Sequence, residues 1–446
     1  MQALHDNIIE LAFILLHFLV FIINYEVMKK KLMQPSVLFS FLWFVIILCH
    51  FIFRFTLLEE LAPLKTSTFL ILFIGVVAFS FGSFIQTTIW QKNELAGAVQ
   101  VRENIRLSLP LRYFLIAIVL VALPFYIKAS YKMFLASQVE SFFIGLRTEL
   151  LYGDEDIGPL RYMGTFSYIV LAINLVAFFK NRTKLNTFLL VTSILLSISY
   201  AILATGRLLY FMLLAIYAGI AFIFNENFSV KRILRLMAIF MIFFIFMGII
   251  YGKGGNTESS LGQNLRPAAK VTAVYMVASL NSLNYDLNHQ FSISYSGNNS
   301  LRFFTKLFQQ LHIMPNANVA DILQEFVLIP YPTNVYTIYN KYIRDFGKFY
   351  AWIMVFLYGF LHSYLYNKAV ATRQIRFGLY YAVMLFPLLI SFFDDQYISL
   401  TSMWLQIIFY IEIIVRINQY LINRKSAKAI AVYSIASGNE NTNNTQ

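Results

Sequence analysis

Residues 162–224 read YMGTFSYIVLAINLVAFFKNRTKLNTFLLVTSILLSISYAILATGRLLYFMLLAIYAGIAFIF. Three apolar runs follow one another here, each close to the 20 residues a helix needs to cross the hydrocarbon of a bilayer. The first break carries Lys180, Arg182 and Lys184, and the second is the short Thr205-Gly206-Arg207 hairpin. Basic residues gather in short cytoplasmic loops, so the first break is predicted inside and the second outside.

Carried outward, the same ruler gives about eleven spans, near 8–27, 36–58, 68–90, 112–129, 161–179, 187–203, 208–224, 234–251, 349–367, 377–393 and 399–420. Their alternation puts Lys29 to Lys31; Lys92, Arg102 and Arg106; Lys231, Arg232 and Arg235; and Lys368, Arg373 and Arg376 on one side, together with Arg424, Lys425 and Lys428. Such consistency predicts an all-α polytopic membrane protein with its N-terminus outside and its C-terminus cytoplasmic. The first span has no basic segment before it and its lysines follow it, so it reads as a retained helix. Residues 1–425 are predicted to form one membrane domain, and 426–446, polar and without period, a disordered cytoplasmic tail.

Composition agrees. Hydrophobic residues make up 59% of the 446, charged residues 13%, and mean hydropathy is +0.65, which excludes a soluble enzyme. The net charge of +13 would suggest a nucleic-acid partner in a soluble domain. Here topology accounts for it, and no nucleic-acid partner is expected. Cys49 stands alone inside a span, so there is neither a disulfide framework nor a thiolate metal site.

Two outer connections exceed turns: 130–160, and the stretch 252–348 that precedes the last three spans. The second is long enough to be functional and carries helical patterns of its own. Ser300 is placed to cap Leu301–Ile313, where Phe304, Leu307, Phe308 and Leu311 oppose Arg302, Lys306, Gln309 and Gln310. That helix suits either the lipid interface or packing on the bundle. A further helical pattern, Asn318–Leu328, stops at Pro330 and Pro332.

Motifs of soluble enzymes are missing: there is no Walker A sequence, no GxGxxG after a strand and no HExxH. Gly252-Lys253-Gly254-Gly255-Asn256 reads as an anion nest or as a flexible joint. Asp394-Asp395 reads as a cation site or as a turn cap. Asp321 and Glu325, four apart, read as a carboxylate pair or as a polar stripe. The six histidines show no metal-ligand spacing.

Arginines outside run against the charge rule, and these mark candidate function. Arg207 sits in the tight hairpin, Arg54 near the outer end of the second span, and Arg147 and Arg344 in the two long outer connections. For Arg207 the alternative is snorkelling; for Arg147 and Arg344 it is a local pair with Glu149 or Asp345. Guanidinium groups bind phosphate oxygens as a fork, which suits a diphosphate carried at the membrane surface. Tyr331, Tyr336, Tyr339 and Tyr342 offer faces for sugar stacking, or belong to the interfacial aromatic belt.

Over nearly its whole length the chain resembles the Wzy-type polymerases, which join lipid-linked oligosaccharide repeat units of O-antigens and capsules. The resemblance rests on the many spans with a large late outer loop, on Thr205-Gly206-Arg207, and on Pro332-Thr333-Asn334-Val335-Tyr336-Thr337 followed by Tyr342 and Asp345-Phe346-Gly347. Arg147 and Gly158 match an Arg-x10-Gly spacing found in outer loops of the family. Arg266, Arg302 and Arg344 are followed at that distance by Val277, Ile313 and Val355, so the large loop holds no second copy.

The resemblance implies transfer of the growing glycan from undecaprenyl diphosphate to the next lipid-linked repeat unit, at the outer face of a bacterial plasma membrane. Arg147, Arg207, Arg344 and Asp345 would be catalytic, and Gly158, Arg54, Asn334, Tyr336, Thr337, Tyr342, Glu325 and His289 would bind substrate. The acceptor's base would be Asp345, Glu325 or His289. No metal or cofactor is expected. Membrane lipid and the lipid-linked oligosaccharide are the expected partners, and a chain-length regulator is allowed without being identified. Two alternatives stay open: an O-antigen ligase acting on lipid A core, and a flippase of the same lipid-linked sugar.

Overall fold

The computed structural model describes residues 2–95, 106–153, 157–206, 208–225, 228–232, 234–236, 238, 242, 261–289, 293–320, 324 and 326–442. Arg207, Asp321, Glu325, Gly252–Asn256 and most of the expected span 234–251 lie outside these residues. Within them the chain is almost entirely helical: α1 Gln2–Val27, α2 Pro35–Thr56, α3 Thr66–Leu95, α4 Leu109–Ala136, α5 Phe142–Tyr152, α6 Tyr162–Lys180, α7 Lys184–Leu203, α8 Leu208–Phe224, α9 Leu261–His289, α10 Arg302–Gln310, α11 Asn340–Phe346, α12 Lys348–Thr372, α13 Ile375–Leu389 and α14 Thr401–Thr442. Among the described residues, eight helices are long and apolar enough to cross a membrane, and α8 and α13 are apolar at 17 and 15 residues. This is an all-α polytopic membrane protein. Large apolar side chains stay exposed on the outer surfaces of the helices, as a lipid-facing bundle requires.

Two halves pack together. One core joins α1–α3 to α9, α11 and α12; the other joins α4–α8 to α13 and α14. In the first half α3 and α12 run parallel: Trp352 Nε1 donates to the Ile71 carbonyl at 3.3 Å, Ser83 and Ser363 hydroxyls meet at 2.5 Å, and Asn367 donates to Gln86 at 2.7 Å. Gly82 and Gly359 make this possible, because a Cβ at either would run into the opposing backbone carbonyl, of Phe356 or Phe79. In the second half α8 and α13 run antiparallel, with Gly219 against Ala382 and Phe224 against Gly378. Phe224 and Thr372 therefore lie toward one face, which also carries Lys29–Lys31, Arg182, Arg373 and Arg376; we call it the basic face. The loop face lies opposite.

Several expectations need correction. Ser300 does not cap α10; its hydroxyl and amide both go to Asp345. On α10, Phe304, Leu307, Phe308 and Leu311 stay exposed. The segment expected as helix to Leu328 ends as an extended pair, Val327–Leu328 (β1) against Pro332–Thr333 (β2), in antiparallel register Val327 to Thr333 and Leu328 to Pro332. Pro330 forces Ile329 out of the helical region, and Val327 is β-branched, so strand geometry wins. The tail expected to be disordered from Ser426 continues α14 to Thr442 instead. Ser426-Ala427-Lys428-Ala429-Ile430-Ala431 holds no proline and three alanines, which favour continuation.

The chain re-enters the bundle on the loop face. From Thr333 to Gly347 every residue is buried or half-buried, and so is every residue of the break between α13 and α14, residues 390–400. These two stretches satisfy each other: Ile338 N–H donates to Ser391 at 2.9 Å and Thr337 N–H to Phe393 at 3.2 Å, while Ser279 on α9 donates to the Phe392 carbonyl at 2.5 Å. Irregular backbone is tolerated at membrane depth only when protein supplies such partners. Tyr397 stacks on Tyr358 with ring centres 3.9 Å apart and hydrogen-bonds His362 at 2.8 Å. Tyr358 is roughly 15 Å along α12 from Lys348, at 1.5 Å per residue, so the break reaches about half the helix length inward.

Candidate functional site

The Thr205 hairpin and the re-entrant stretch from Pro332 to Gly347 each contain a threonine with left-handed backbone. Thr205 has φ +50° and Thr337 φ +69°, and these are the two β-branched residues with positive φ among the described residues. That conformation is costly for a branched side chain and persists only where its surroundings enforce it, which marks candidate sites. Thr337 is fully buried, with its amide held by Phe393. Thr205, nearly buried, turns the chain from α7 into α8 and offers its carbonyl to Arg147 Nη1 at 3.4 Å.

Arg147 projects from α5, whose face toward α4 is fixed by Gly145 against Ser137 and Phe134. Beyond α5, Gly158 starts a single 3-10 turn with φ +65°, where a side chain would meet no neighbour but the backbone would be strained. The structure thus brings Arg147 to the Thr205-Gly206 hairpin that precedes Arg207, and the hairpin and Gly158 both stand on the loop face of the second half.

The second group belongs to the first half. Arg344, on α11, turns from Asp345 to Asp286 on α9: Nε donates to one carboxylate oxygen at 2.9 Å and Nη2 to the other at 2.6 Å. Asn340 donates to the same carboxylate at 2.7 Å. The guanidinium lies over the Tyr336 ring at 5.5 Å and its side chain stays 34% exposed. Arg344 is therefore held by Asp286 and stays partly exposed. Asn334, half-buried just upstream, makes no side-chain hydrogen bond among the described residues.

Asp345 has a different task. It is fully buried and accepts from the Ser294 hydroxyl, the Asn299 amide and side chain, and the Ser300 amide and hydroxyl, at 2.6 to 3.3 Å. A carboxylate so fully used ties residues 294–300 to α11 and is not poised as a base. Tyr342 is also buried, its hydroxyl 2.5 Å from that of Tyr358, so it supports the re-entrant segment and offers no face to a sugar. His289 is exposed at the end of α9 and stacks on Tyr285, its Nδ1 3.1 Å from that residue's carbonyl oxygen.

Arg54 is the centre of a cluster that sequence reading missed. It pairs with the buried Glu10 of α1 at 2.9 Å, hydrogen-bonds Asn7 and lies between the Phe51 and Phe55 rings. Glu10 also faces His50 Nδ1 at 2.8 Å, and His50 Nε2 faces Asn281 at 3.2 Å. The available signal was an acid, Glu10, set well inside the first apolar span, whereas Glu26 lies at its end. Lys341 was missed as well: nearly buried, it pairs with Asp394 at 2.9 Å. Asp395 caps the turn, accepting from Tyr397 and Ser399 amides and the Ser399 hydroxyl. So the turn-cap reading of Asp394-Asp395 fits, with Lys341 added.

The loop face thus presents cations held by carboxylates at the mouth of an apolar bundle, beside backbone that enters to half depth. Such a surface can hold a phosphorylated headgroup while its lipid tail stays in the bilayer. In comparisons with protein-family models, with curated proteins and with solved structures, the chain matches none.

Proposed function

We propose that this chain polymerises lipid-linked oligosaccharide repeat units at the outer face of a bacterial plasma membrane, with the loop face outside and the basic face cytoplasmic. The observation that carries the reading is the presence on one face of two arginine motifs, each containing a strained threonine, the second threaded into the bundle. The acceptor hydroxyl oxygen bonds to the anomeric carbon of the growing chain. The bond from that carbon to the diphosphate breaks, and undecaprenyl diphosphate leaves with the electron pair. Arg147, Arg207 and Arg344 stabilise the charge that develops on it. The hydroxyl proton passes to a base or to water, with Glu325 and His289 as remaining candidates once Asp345 is committed to residues 294–300.

A flippase is the second reading. It is favoured by Glu10, His50 and Arg54 buried in the first two spans and by the interrupted α13–α14 passage, both common in transporters. A deletion strain separates these readings. Loss of the polysaccharide length ladder with single repeat units remaining at the cell surface is the polymerase result. Repeat units confined to the cytoplasmic face mean a flippase, and long polymer stranded on its lipid carrier means a ligase.

A further inference from the structure

On the basic face, away from both arginine motifs, a cavity of about 250 Å³ opens where the α1–α2 turn meets the ends of α3 and α12. Lys29 and Lys31 stand at its rim, and Gln34, Thr87, Gln91 and Asn367 line it. Neither lysine has an acidic partner among the described residues, whereas Lys30 between them pairs with Glu26 at 3.6 Å. The turn that carries them is tightly wound: Lys29 and Lys30 both adopt left-handed φ, +54° and +61°, and their amides bond back to the Glu26 and Tyr25 carbonyls. Gln34 is nearly buried and donates to Thr87 at 3.3 Å, so the floor is fixed. On one side the cavity is bounded by Val27 and Phe84, which are half-exposed on the bundle's apolar surface.

Two unpaired cations above amide and hydroxyl groups select a phosphate. An apolar flank open to the bilayer selects one that carries acyl chains. We infer that this cavity binds the headgroup of an anionic phospholipid, its phosphate between Lys29 and Lys31 and its chains along Val27 and Phe84. Plain loop topology would ask only for basic residues, not for a polar cavity between three helices.

The test uses full-length protein in nanodiscs of phosphatidylcholine containing a small fraction of phosphatidylglycerol, with co-purified lipid measured by native mass spectrometry. Wild type should retain phosphatidylglycerol. Lys29→Gln with Lys31→Gln should lower retention by about thirtyfold, the effect of two basic side chains at a lipid surface, with the melting temperature unchanged. Lys92→Gln, exposed at the end of α3 and outside the cavity, should retain it as wild type does. Equal retention by the double variant overturns the inference. So does displacement of the lipid by millimolar inorganic phosphate, which would make the site one for a soluble anion.

Discussion

The two halves of this bundle solve the same problem differently. Around α4–α8, α13 and α14 the core is apolar, and its buried cation, Arg112, is held by neutral amides, donating to Asn174 at 2.9 Å and Asn186 at 2.6 Å near the basic face. Around α1–α3, α9, α11 and α12 cations meet carboxylates toward the loop face: buried Arg54 with buried Glu10, partly exposed Arg344 with buried Asp286, and buried Lys341 with half-buried Asp394. In lipid, packing of small and apolar residues suffices to hold helices together. Charge pairs there are expensive and are kept where a site needs them. These ion pairs thus gather in the first half, while Arg147 stands with the Thr205 hairpin on the loop face of the second.

That contrast can be broken by mutation. Asp394→Ala leaves Lys341 buried without its partner and should cost about 3–5 kcal/mol, seen as loss of folded protein in a thermal melt. Asn174→Ala, which leaves Arg112 with Asn186, should cost only about 1–3 kcal/mol; equal losses would mean the halves do not differ. Arg344→Lys keeps charge but loses the fork to Asp286. Polymer formation should fall by about 100-fold while the melt barely moves, because the side chain is partly exposed; full polymer would remove Arg344 from the site. Gly359→Ala pushes α3 from α12 and should destabilise by about 1–3 kcal/mol. Ser83→Ala removes one interhelical hydroxyl contact and should cost about 0.6 kcal/mol, the smallest shift of the set.

The spans were legible because bilayer thickness leaves little freedom in length: the run read as 208–224 is α8, and 161–179 is α6 within a residue. What escaped reading was set by tertiary partners. The stretch read as a span to residue 393 stops being helical at Leu389, because residues 390–400 find their hydrogen bonds in the re-entrant segment. Arg344 chose Asp286, 58 positions away, over adjacent Asp345, since neighbouring helical residues point to different sides. Asp345 stood out in sequence for its motif, yet its work is to hold residues 294–300. Glu10 and Lys341 left only single-residue signals, which no spacing rule amplifies.

The central claim is that the loop face joins glycans by releasing a lipid diphosphate, without a metal. The direct measurement is a reaction of purified protein in liposomes with undecaprenyl-diphosphate-linked repeat units and excess chelator. The account predicts a length ladder and one undecaprenyl diphosphate released per linkage, both abolished in Arg147→Ala. Intact repeat units, with no carrier released with or without divalent cations, would contradict it.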